Sequence, residues 1–121
     1  MGDMHAIQGD GEICGGGGVE TKADVVIAVN VEKPRPEMNW PRIANETHIG
    51  TIACARPAED AFALALRELI EWLAADYRMD RGEAFMLLSQ VAECRCTQFV
   101  NPSFTYVCKS NRRFLPEGSP R

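Results

Sequence analysis

A chain of 121 residues is the size of one domain and can bury a working core, so 1–121 reads as a single domain. Its 45% hydrophobic and 25% charged residues match a folded globular protein and argue against disorder. A formal net charge of -4 excludes the basic footprint that nucleic acid or an anionic membrane surface calls for, and no stretch approaches the roughly 18 apolar residues that span a bilayer.

The first twenty residues carry Gly2-Asp3-Met4-His5, then Gln8-Gly9-Asp10-Gly11-Glu12, Cys14, the run Gly15 to Gly18, and Glu20. In an extended segment Asp3 and His5 share one face, as do Asp10 and Glu12. Carboxylates beside an imidazole suit a divalent metal or acid–base chemistry. Their mutual repulsion is tolerated where a cation or a shared proton compensates it. The glycine run is not a phosphate cradle, which needs a preceding strand, a following helix and a Lys-Ser/Thr pair. Cys14, among acidic neighbours, is a poor thiolate nucleophile. The acidic, glycine-rich start has no secretory pattern, so the expected location is cytoplasmic.

Residues 21–33 alternate with period two and read as a strand, with Ala23, Val25, Ile27, Val29 and Val31 on one face. Pro34, Pro36 and Pro41 break regular structure next, around the lone Trp40. HIGTIACA (residues 48–55) reads as a second, more buried strand, and His48 as a structural histidine. Pro57 opens a helix over about 58–77, with Phe62, Ala65, Leu66, Leu69, Ile70 and Leu73 on its apolar face. Asp80 caps a second helix while Glu83 reaches back three residues later. Strand character returns at 94–100 and 105–109, around the turn Asn101-Pro102-Ser103.

Residues 110–121 read as a flexible tail with a solvated basic end, Arg112, Arg113 and Arg121. Five cysteines without a secretion pattern read as reduced thiols, and the Cys94/Cys96 spacing suits small buried side chains better than a zinc pair. Strands, two helices, then strands give an α+β fold: an antiparallel, sandwich-like β core with two packed helices between strands.

The order G-D-x-H-x-x-Q-G-D-G-E, then C-G, then a Glu opening a β segment, resembles the acetamidase/formamidase family. The resemblance continues through RELIEWL (residues 67–73), AFMLLS (84–89) and VAECRCTQFVNP (91–102), and so covers nearly the whole chain. It implies hydrolysis of small linear amides such as formamide and acetamide to the acid and ammonia, assisted by a divalent metal, with zinc the expected ion. Carried onto this sequence, Asp3, His5 and Glu20 are the expected metal ligands. Glu12, or else Asp10, is the expected catalytic acid–base. Family members are much longer and carry a further upstream segment, which implies a homo-oligomer or a partner chain supplying the missing upstream half. Gly16-Gly17 departs from the bulkier residues of the family. The alternative to an enzyme is a truncated or split, non-catalytic half that binds a partner subunit.

Overall fold

Residues 58–76 hold the longest helical pattern in the chain, and the rest of the core is built against them. The computed structural model describes residues 2–117. Among these, β1 (Met4–Ile7) and β2 (Val19–Thr21) precede β3 (Arg42–Ala44) and β4 (His48–Ala55). The helices α1 (Ala58–Asp76) and α2 (Arg81–Val91) follow, then β5 (Glu93–Gln98), β6 (Phe104–Asn111) and a 3-10 turn at Arg112–Phe114. The main sheet is antiparallel with order β3-β4-β6-β5, and β1 and β2 form a separate two-stranded ribbon. The fold is α+β, as the order of patterns anticipates.

Helix α1 starts after Pro57, whose fixed φ suits a helix entrance, and Glu59 and Asp60 favour the positive end of its dipole. Its buried stripe starts at Ala61, and Ala65, Leu69 and Leu73 of that stripe pack with Ile49 and Ala53 of β4 and Cys108 of β6. Buried Thr51 sends its hydroxyl 2.6 Å to the Ala65 carbonyl, which satisfies a polar atom inside that contact. Asp80 caps α2, its carboxylate accepting from Gly82 N at 2.8 Å and Glu83 N at 3.3 Å. Ala84 and Leu88 carry α2 into the core, while Phe85 stays exposed.

One buried charge is unexpected. Glu68 sits on the inner stripe of α1, seven residues after Ala61, and pairs with Arg42 of β3 at 2.8 Å. Asn39 N also donates to Glu68, and the Arg42 guanidinium lies 5.1 Å from the Trp72 ring centre. The pair pins the 34–44 strap across the helix. Removing one partner from such a buried pair costs about 3–5 kcal/mol.

Three expectations change. The strand read over 21–33 is realised only as its first residue, since β2 ends at Thr21 and residues 22–33 carry no strand. Alternation records that one face is to be covered, but a strand also needs a ladder partner, and no described strand pairs here. Cys94 and Cys108 are joined as a disulfide instead of standing reduced. They are directly opposite in the β5–β6 register, which sequence spacing does not reveal. Ser110 and Asn111 belong to β6, and Leu115 closes the core, so order extends well past residue 110. The end of the expected tail, residues 118–121 with Arg121, lies outside the described residues.

Candidate active site

The N-terminal ribbon brings His5 and Glu20 together. In the β1–β2 register the two residues are directly opposite, and His5 Nε2 lies 2.8 Å from Glu20 Oε1. A carboxylate at that distance fixes the plane and tautomer of an imidazole. Room for the ring comes from Gly18: a Cβ there would stand 2.6 Å from His5 Cδ2 and 2.5 Å from Gln8 Oε1. His5 and Gln8 therefore crowd over the same bare backbone.

Asp10 and Glu12 are not on a shared strand face. Residues 9–12 form a tight turn closed by Glu12 N to the Gly9 carbonyl at 3.2 Å, with φ of 98° at Gly11 and 34° at Glu12. Those positive values break the period of two, and Gly11 is the residue type that tolerates them. The turn is held against the end of β5, where Phe99 N donates to the Gly11 carbonyl at 2.8 Å. Asp10 then reaches Arg95 at 3.1 Å, while Glu12 Oε2 accepts from Gln98 Nε2 at 2.9 Å.

Gln98 connects Glu12 to the sheet. Its Oε1 accepts from Asn101 Nδ2 and from Thr105 Oγ1, both at 3.1 Å, and Thr105 Oγ1 lies 3.3 Å from Cys54 Sγ. Both amide ends of Gln98 are used, so the side chain is oriented. It holds one oxygen of Glu12 and leaves Oε1 for another partner. Gln8, Asp10, Glu12 and Cys14 line a shallow cleft of about 250 Å³. Gln8 borders both this cleft and His5, and so links the turn to the ribbon.

The expected metal ligands are only partly gathered. His5 and Glu20 are adjacent, whereas Asp3 lies exposed just before β1. Among the described residues no three His, Cys, Asp or Glu side chains converge where one ion could be held. A catalytic zinc takes three protein ligands and a water. The donor set present supplies two, so it does not by itself fit the ion.

Gln8, Arg95, Gln98 and Thr105 are the residues that pattern reading missed. A single Gln or Thr in a strand gives no periodic signal, and only the register places Gln98 opposite Thr105. A larger cleft of about 480 Å³ lies between the strap and α1, lined by Arg35, Arg42, Trp72 and Asp76 among others. Arg35 is engaged by Asp76 and Glu37, so this cleft is a structural junction. No described helix is long and apolar enough to cross a membrane.

No protein-family model and no curated protein matches this sequence. Solved structures do. An acetamidase from Yersinia enterocolitica is 34% identical with a TM-score of 0.73, matching 93% of this chain and 34% of its own. An acetamidase from Bacillus halodurans is also 34% identical, with a TM-score of 0.72 over 91% of this chain and 37% of its own. A predicted acetamidase/formamidase from Thermoanaerobacter tengcongensis, 20% identical with a TM-score of 0.66 over 90% of this chain, shares the fold. The chain thus spans about a third of the length of the structures it resembles.

Proposed function

We propose that this chain contributes an amide-hydrolysing site for small linear amides, converting formamide or acetamide and water to the carboxylic acid and ammonia. The observation that carries the reading is the His5–Glu20 pair at 2.8 Å over Gly18, in a chain similar to two acetamidases along nearly its whole length. Water attacks the amide carbonyl carbon as Glu12 Oε1 accepts its proton. The C–N bond then breaks, and the same proton passes to the departing nitrogen, which leaves as ammonia. Gln98 holds Glu12 in place by its other oxygen. Asp10, engaged by Arg95, is the second choice for the proton carrier. His5, whose Nε2–H goes to Glu20, keeps Nδ1 as an acceptor for an N–H of the amide substrate.

A divalent cation, with zinc the choice for an imidazole and carboxylates, belongs to the proposal only with a donor added to His5 and Glu20. Bound there it would polarise the carbonyl. Asp3 is one source of that donor, and a second polypeptide is the other. No step above runs through the ion. The proposed assembly is a homo-oligomer or a complex with a chain that supplies the upstream part of an amidase. The second reading is a non-catalytic half that only binds such a partner, and the uncovered segment 22–33 favours it.

Ammonia release from formamide by Glu12→Gln and Asp10→Asn variants separates the two carboxylates. Glu12→Gln should lower turnover by about 10²- to 10⁴-fold, and Asp10→Asn by less than about tenfold. The reverse order would move the proton to Asp10.

A further inference from the structure

We infer that residues 23–31 are a docking strand for the part of an acetamidase-type polypeptide that this chain does not span, in the same polypeptide or a separate one. This inference rests on the amidase reading for the identity of the partner. It rests on the segment itself for the mode of binding. The segment runs Ala-Asp-Val-Val-Ile-Ala-Val-Asn-Val, with five consecutive apolar residues from Val25 to Val29. Val26 is 99% exposed, Ile27 65%, Val29 80% and Val31 98%. No charge interrupts its centre, no proline blocks its amides, and no described strand pairs with it. Such a run is built for a ladder on at least one edge and for cover on both faces.

A second copy of this chain does not meet that need. Two such arms paired alone would make a two-stranded ribbon with its apolar faces still in water, which is marginal at best. The partner must bring an open sheet edge together with an apolar surface behind it. In the similar acetamidases about two thirds of the polypeptide lies beyond the matched region, and those matches take in 93% and 91% of this chain. The arm's neighbours fit the same reading. Exposed Ile7 and Val19 lie on the ribbon that carries His5, and exposed Ile13 directly follows the turn that carries Glu12, so the partner would cover the candidate site as well as the arm. Strand addition with alternate side chains in pockets is a known mode of recognition.

The test uses the full 121-residue chain, alone and co-expressed with the Yersinia enterocolitica acetamidase lacking its matched third. That acetamidase's own matched third serves as the positive control. Alone, the chain should be a monomer whose amides at 23–31 exchange as in an unfolded peptide. In the complex those amides should slow by about a hundredfold or more. Ile27→Pro should abolish co-purification while leaving the helical circular dichroism unchanged, because the arm lies off the core. Protection of 23–31 in the chain alone, as monomer or dimer, would overturn the inference. So would a complex that leaves the arm exchanging freely, or failure of this chain to pair where the control pairs. A complex that forms but releases no ammonia would keep the docking and remove the amidase reading.

Discussion

Gly18 makes the sharpest residue-scale prediction because its missing Cβ is the space that His5 uses. In Gly18→Ala the new methyl meets ring atoms of His5 at 2.6 and 2.9 Å and the amide oxygen of Gln8 at 2.5 Å. Gln8 can swing away cheaply, but the ring can yield only by leaving Glu20. Turnover of formamide should fall by at least about tenfold, while the unfolding midpoint moves little because the ribbon is exposed. Unchanged turnover would separate the His5–Glu20 pair from the chemistry. A second residue-scale prediction concerns acid. Burial pulls the Asp76 carboxyl upward, but hydrogen bonds from Arg35 and Trp72 and the charge of Arg35 outweigh it, so the group titrates below its usual range. A carboxylate depressed on folding stabilises above its unfolded pKa of about 3.9, and that stability is lost as pH falls through the folded value. Asp76→Asn should therefore cost about 1–3 kcal/mol at pH 7, with the gap closing below about pH 4 in denaturant melts. A gap independent of pH would mean that packing, not charge, accounts for it.

Among the elements, those whose signal is local were readable in advance. The apolar spacing of α1, the Asp80 cap of α2 and the limits of β4 all depend on residues within a turn or two of each other. Features set by distant partners were not readable. Glu68 occupies a stripe position, yet an acidic residue reads as solvent-facing until Arg42 is brought to it across 26 residues. Asp10 and Glu12 alternate on paper, but the positive φ values at Gly11 and Glu12 turn them to separate partners. Of the candidate site, the residue types were visible and the His5–Glu20 meeting was not. It follows from β1 pairing with β2 across a glycine turn. Gln98 was invisible for the same reason, since only the β5–β6 register gives it a role.

For the whole molecule, the helices and the four-stranded sheet make one core, while the ribbon, the 9–12 turn and the 22–33 arm lie on its outside. The candidate site therefore rests on exposed segments of the described residues, and under the docking proposal its completion is tied to what covers the arm. The thiols supply a global check. With Cys94 and Cys108 joined, denatured but unreduced protein should titrate three thiols, from Cys14, Cys54 and Cys96, and reduction should raise the number to five. Five thiols without reductant would instead match the cytoplasmic expectation, since reducing compartments keep such pairs open. The most direct test of the central claim is ammonia release from formamide and acetamide by this chain paired with the Yersinia enterocolitica acetamidase lacking its matched third. Turnover above the uncatalysed rate that is lost in Glu12→Gln is the predicted result. Release at the uncatalysed rate would contradict it and leave the chain as a binding half.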